Sequence, residues 1–349
     1  MFPGLFLLLL ASLALFWLLL SIHTVWMLTH PPRRAYAWAV SRSVPGDPAE
    51  LGLAFSEWTF RSRSRDLPVW DIRAANPSGP LIIITHGWGD SRVVHLSRAA
   101  GLAPHASRII LWDLPGHGDA PGICELGSRE HADLLTLLDH LNTPPPARTP
   151  RATDPGSGGA GPVPLTSARP TPHPPLILYG SSLGAGISMA AALQSAHPIA
   201  AVIAEAPYRI PPTPARNVLR LRALPFRTNL APAMTFLGLS FGQGISWGVC
   251  TITHNPGHSP RFDRAKLARQ LRCPLLVLHG ECDPVSPPDD GRAIAASCPS
   301  GRIAIIPAAS HNNLWIDPAF ADQSAAAVRD FLASLSSLHS APAPAPASP

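Results

Sequence analysis

The sequence predicts an α/β fold, a mostly parallel central sheet with helices on both faces, preceded by a membrane-spanning helix. Three observations carry this. Short continuous apolar runs alternate with longer amphipathic segments along most of the 349 residues. The runs are unbroken rather than alternating, as strands buried on both faces are. No charged side chain stands before Arg33.

The N-terminal stretch MFPGLFLLLLASLALFWLLLSIHTVWML exceeds the roughly 20 apolar residues needed to cross the hydrocarbon. A cleaved signal peptide would need a basic start and small residues at a cleavage site, and neither is present. Trp26 and His30 stand where interfacial residues belong, and Pro31 and Pro32 end the helix. Residues 1–30 are therefore expected to be a single-pass anchor and 31–50 a linker. Arg33, Arg34 and Arg42 follow the span, which places the C-terminal bulk in the cytoplasm by the positive-inside rule.

The remainder of the chain begins near Leu51. AFSEWTFR and LPVWDIR alternate apolar and polar residues, as an antiparallel edge hairpin does. Buried strands are predicted at 81–85, 108–112, 176–179, 200–205, 274–279 and 302–307, and helices at 129–141, 184–195 and 324–338. Residues 142–175 are rich in Pro, Gly, Ser and Thr and cannot pack a core, so they read as a surface insert. Residues 339–349 form a disordered Ala/Pro tail of polyproline type. There is no internal repeat.

Composition narrows the function classes. Net charge is +5 but only 14% of residues are charged, and Lys266 is the only lysine, which leaves no basic tract for nucleic acid. Five cysteines without paired spacing make no disulfide framework. Neither C-x-x-C nor H-E-x-x-H occurs, so a structural or catalytic zinc site has no support.

In parallel sheets the chemistry sits just beyond the carboxyl ends of the strands. After the run 176–179 comes GSSLGAG, which fits G-x-S-x-G in one register, Gly180 to Gly184. Residues two before and two after a strained strand-to-helix turn approach each other and must be small. Centring on Ser182 puts glycine at both places; centring on Ser181 puts Tyr179 and Leu183 there. Ser182 is thus the candidate nucleophile and Ser181 a small polar neighbour at the substrate pocket. A serine hydroxyl needs a base, and the base an orienting carboxylate. Asp283 and His311 follow later strands in the order Ser, Asp, His. Glu205, at another strand end, is the rival acid, while Asp289 and Asp290 read as solvated residues at a helix start. An oxyanion needs two fixed backbone donors. The Leu183 N–H is one; Trp88 in HGWG is the other, with Gly89 as its alternative. The Trp88 side chain is expected to flank the acyl pocket, and His86 to line it while orienting the loop. DLPGHGDA, from Asp113, reads as a tight turn at the site rim.

THGWGDSR, LWDLPGHG, LYGSSLGAG, VLHGECDPVSP and ASHNNLW together resemble the α/β-hydrolase superfamily over residues 51–338. The chain is similar to membrane-anchored bacterial members of the serine aminopeptidase-like and prolyl-oligopeptidase-like groups. The resemblance implies Ser182 as nucleophile, His311 as general base and acid, Asp283 as its orienter, no cofactor, and a small cap at 206–272. The insert departs from the family's compact connection. The leading expectation is a serine hydrolase of carboxylic esters or thioesters acting on a small-molecule or lipid-like acyl substrate. A peptidase or amidase with the same triad is the alternative. An inactive binding scaffold is a further one, disfavoured by the complete triad. Oligomeric state is not written in the sequence.

Overall fold

The computed structural model describes residues 2–142, 174–220 and 263–339. Within them α1 (Phe2–Thr29) precedes α2 (Tyr36–Arg42), then β1 (Phe55–Ser62), β2 (Arg65–Arg73), β3 (Leu81–Thr85), α3 (Leu96–Leu102), β4 (Arg108–Trp112) and α4 (Glu130–Asn142). β5 (Leu176–Ser181), α5 (Leu183–Gln194), β6 (Ala201–Glu205) and α6 (Pro212–Arg220) follow. The chain ends with α7 (Arg264–Ala268), β7 (Leu275–Gly280), α8 (Pro288–Ser297), β8 (Gly301–Ile306) and α9 (Pro318–His339). The middle of the insert, most of the expected cap and the Ala/Pro tail lie outside the described residues.

The strands form one eight-stranded sheet in the order β1-β2-β4-β3-β5-β6-β7-β8. β1 and β2 are antiparallel to their neighbours, and every pair from β4 to β8 is parallel. This is the mostly parallel sheet with an edge hairpin that the apolar patterning predicts. Alternate residues of β3 serve opposite cores: Leu81 and Ile83 pack with α4, α5 and α8, whereas Ile82 and Ile84 pack with α3 and α9. Period-two alternation therefore persists, but with apolar residues on both faces.

Helices α9 and α2 differ from the sequence reading in ways that have a local cause. Helix α9 starts six residues before the predicted Ser324, because Pro318 occupies its first turn and the Asp317 carboxylate accepts from the Ala319 N–H at 3.0 Å. Within the expected linker, α2 buries Ala39 in the core, and Ser43 ends the helix in a left-handed conformation, φ 53°.

Helix α1 is long and apolar enough to cross a membrane: within Pro3–Thr29 the most apolar 18-residue window has a mean hydropathy of 2.7, and none of that window is buried in the protein. At 1.5 Å per residue it spans about 40 Å, more than the hydrocarbon thickness of about 30 Å.

The strand order reverses at β3 and β5, so their carboxyl ends lie side by side with diverging loops. There α5 crosses the sheet at close range. A Cβ on Gly184 would overlap the carbonyl oxygens of Thr85 and His86, and one on Gly180 the carbonyl of Gly184. Gly184→Ala is expected to cost about 3 kcal/mol by overpacking against backbone, lowering Tm by roughly 10 °C. Gly4→Ala, where a Cβ would meet nothing within 4 Å, should leave Tm unmoved in the same thermal unfolding experiment.

Candidate active site

Ser182 is the corner between β5 and α5. Its backbone sits at φ 51° and ψ −105°, a region that side-chain-bearing residues rarely adopt and that stores about 1–3 kcal/mol. Its N–H donates to the Glu205 carbonyl at 2.8 Å, tying the corner to the neighbouring strand. The glycine placement that selects Ser182 over Ser181 in the sequence matches the steric contacts of Gly180 and Gly184. Ser181 is buried at the end of β5.

The structure brings the three predicted residues into one line. Nε2 of His311 lies 3.1 Å from Oγ of Ser182, and Nδ1 of His311 lies 2.7 Å from Oδ2 of Asp283. A carboxylate on the Nδ1 side fixes the proton there and leaves Nε2 as an acceptor. Asp283 is held from its other side by the N–H groups of Val285 and Ser286, each 2.8 Å from Oδ1. His279, 3.3 Å from Oδ2, completes its surroundings. Burial pushes the Asp283 carboxyl up, but hydrogen bonds from His279 and His311 and the His311 charge outweigh it and hold the pKa at about 2. Asp283 is therefore ionised near neutral pH.

Glu205 is engaged elsewhere. It binds the Arg98 guanidinium through both oxygens and accepts from the Tyr179 hydroxyl, which in turn accepts from the Trp315 indole at 2.9 Å. This buried network lies under the elbow, and both charges are enclosed and paired. Asp289 and Asp290 stand in the first turn of α8.

The turn after β3 is closed by the Asp90 N–H donating to the Gly87 carbonyl at 3.2 Å, with Gly89 at φ 72°. A side chain at that third turn position would be strained. Gly87 packs against the elbow: a Cβ there would stand 3.3 Å from the Ser182 Cβ. Trp88 thus sits at the apex of the turn that packs against Ser182. Its indole donates to the Leu28 carbonyl at 2.9 Å, a partner at the end of α1 that no sequence pattern announces. Leu183 opens α5, so its N–H has no acceptor within the helix.

His86 lies beneath this turn, 1% exposed. Nδ1 donates to the Gly87 carbonyl at 2.8 Å and Nε2 accepts from the Leu114 N–H at 3.0 Å, so both nitrogens are taken by backbone. Burial first, then the neighbouring His117, pushes its pKa well below the usual imidazole value. His86 holds the Trp88 turn to the 113–124 loop. In that loop Asp113 accepts from the N–H groups of Arg92 and Asp119, and burial raises it to about 6 against the pull of Arg92. Among the described residues no group of three or more His, Cys, Asp or Glu converges as a metal site, and Cys124, Cys273, Cys282 and Cys298 are free thiols.

The model of the Alpha/beta hydrolase family matches residues 82–331, so the chain belongs to that family. No curated protein sequence matches it. Among solved structures it is similar to an esterase of Pyrococcus furiosus (16% identity, TM-score 0.57, covering 87% of this chain and 98% of that one). A membrane phospholipase A, described as a bacterial virulence factor, is similar at 14% identity and TM-score 0.54, over 95% and 97% of the two chains. An esterase from Thermogutta terrifontis is similar at 20% identity and TM-score 0.50, over 81% and 99%. At these identities the likeness is one of fold.

His117 meets His86 edge-on, 4.9 Å between ring centroids, and burial lowers its pKa to about 4. The unfolded chain takes up this proton below about pH 6.5, and the folded one only near pH 4. Stability supplied by the neutral ring is therefore lost as pH falls through that window. Between pH 6.5 and 4, urea unfolding in detergent should show wild type losing about 3 kcal/mol more than His117→Gln.

Proposed function

We propose that this protein is a membrane-anchored serine hydrolase that cleaves carboxylic esters or thioesters through an acyl-enzyme. The observation that carries the reading is the Ser182–His311–Asp283 line, at 3.1 and 2.7 Å, standing on a strained elbow. The descriptions of the similar structures as esterases and a phospholipase A support the same bond class.

In this reading the Ser182 Oγ attacks the acyl carbon as its proton passes to Nε2 of His311. The imidazolium is stabilised by Asp283, which the surrounding donors keep ionised. The oxyanion is met by the N–H groups of Leu183 and Trp88, fixed by a helix start and a glycine turn before reaction begins. As the intermediate collapses, the bond from acyl carbon to leaving oxygen or sulfur breaks and His311 returns the proton to the leaving group. A water then repeats the sequence on the acyl-enzyme, its proton going to His311 and then to the Ser182 Oγ, which releases the acid. No cofactor enters any step.

Residues 1–30 serve as the anchor, 51–338 as the hydrolase domain, and 206–272 as its cap. The basic residues after the span put the domain on the cytoplasmic side. An anchor keeps the enzyme where apolar acyl substrates partition, and a lipid-like ester is the substrate class it suits.

Ser182→Ala should lower kcat on p-nitrophenyl esters by about 10⁵–10⁶-fold, and Asp283→Asn by roughly 10⁴-fold. Fluorophosphonate labelling should vanish in Ser182→Ala and persist in Ser181→Ala; the reverse pattern would overturn the assignment.

A further inference from the structure

A helix leaves its last four carbonyls without donors of its own. At the end of α1 the rest of the fold supplies donors for two of them. The Leu28 carbonyl accepts from the Trp88 indole and the Thr29 carbonyl from the Cys124 N–H, both at 2.9 Å. The contact continues past the helix. Pro32 lies over Gly89, where a Cβ would stand 3.5 Å from its ring. The Arg34 carbonyl accepts from the Ser91 hydroxyl, and the Arg34 guanidinium pairs with Asp90 at 2.7 Å. Arg33 reaches the other loop, donating to the Ala120 carbonyl at 2.9 Å and the Gly118 carbonyl at 3.3 Å. Every residue from 88 to 91 is thus gripped by the stretch 28–34.

One of these contacts has an electrostatic side. The Asp90 carboxylate and the Ser182 Cβ both lie within 3.4 Å of one point, the place where a Cβ on Gly87 would stand. The carboxylate therefore lies near Ser182, beside the turn whose Trp88 N–H would meet the negative charge that develops when Ser182 attacks. Left unpaired, it would oppose that charge in a partly dehydrated setting. Burial pushes the Asp90 carboxyl up, and Arg34 is the foremost charge opposing this, ahead of Arg98 and His311.

We propose that residues 28–34 are a positioning element of the active site: they hold the Trp88 turn in place, and Arg34 neutralises Asp90 beside it. The segment that leaves the membrane is then part of the catalytic apparatus and more than a tether. This rests on the reading of Ser182 as nucleophile and of the Trp88 N–H as an oxyanion donor.

The test uses the full chain in detergent micelles with p-nitrophenyl butyrate, whose solubility removes any advantage of membrane encounter. Arg34→Gln should lower kcat about tenfold, which is about 1.4 kcal/mol of barrier, with KM within about twofold and fluorophosphonate labelling slowed in step. Arg34→Lys should recover most of the rate. Adding Asp90→Asn to Arg34→Gln should restore kcat to within about threefold of wild type, since the opposing charge is gone. A merely structural strap would be weakened further by the second change, so a double variant no better than Arg34→Gln overturns the proposal. An unchanged kcat in folded Arg34→Gln overturns it as well. If thermal unfolding shows that Arg34→Gln does not fold, Trp88→Phe, which removes the indole N–H and keeps a ring, takes its place, and an unchanged kcat there is equally fatal. Ester hydrolysis that survives in Ser182→Ala would strike the serine reading instead, a result that the Arg34 variants cannot produce.

Discussion

The structure turns on how closely α5 can cross the ends of β3 and β5. Gly180 and Gly184 leave no room for a Cβ, and that absence lets the backbone at Ser182 be held at φ 51°. Were the helix farther away, the serine could relax to an ordinary conformation and its hydroxyl would turn from the site. The strain is contained by neighbours that are themselves fixed. The Ser182 N–H is anchored to Glu205 of β6, and Glu205 is pinned by Arg98 from the opposite face of the sheet. A buried ion pair beneath the elbow thereby keeps the corner bent.

The same enclosure treats acidic groups differently according to their donors. Asp283 receives two backbone N–H groups and two histidines and stays ionised at about pKa 2. Glu130 also accepts from backbone, at Glu125 and Gly127, but burial and the nearby Glu125 charge raise it to about 7. Backbone donors alone do not keep a buried carboxylate charged; the side-chain hydrogen bonds that Asp283 receives from His279 and His311 make the difference. The histidines under the Trp88 turn follow the opposite logic. His86, His95 and His117 are all pushed down by burial, and each is suited to neutral packing and hydrogen bonding.

How much of this could be read in the sequence depended on how local each constraint was. The strands were legible because continuous apolar runs have no other place than a sheet covered on both sides. Ser182 was legible because the elbow needs small residues at fixed offsets, and only one register of GSSLG provides them. Asp283 and His311 stand at strand ends, so chain order was enough to nominate them and the structure places them in contact. Arg98 and Glu205 could not be paired from sequence: one looks like a surface residue of a helix, the other like a rival acid, and 107 positions separate them. His279 carries no mark that distinguishes it from the other histidines. The grip of 28–34 on the Trp88 turn was invisible for the same reason, since its partners are 56 to 60 residues away and several are backbone atoms.

The capped end of α1 has a geometric consequence. A domain tied to a membrane by a loose connector swivels, and its entrance samples all headings. Here carbonyls of the last helical turn are bonded into the catalytic domain, and the two arginines that follow are fastened to separate loops. Rotation about the junction would have to break those bonds first. Were α1 to cross a bilayer, the height of Ser182 above it and the compass bearing of the site would be set by the fold, and the molecule would search the leaflet as a rigid plough rather than a ball on a string.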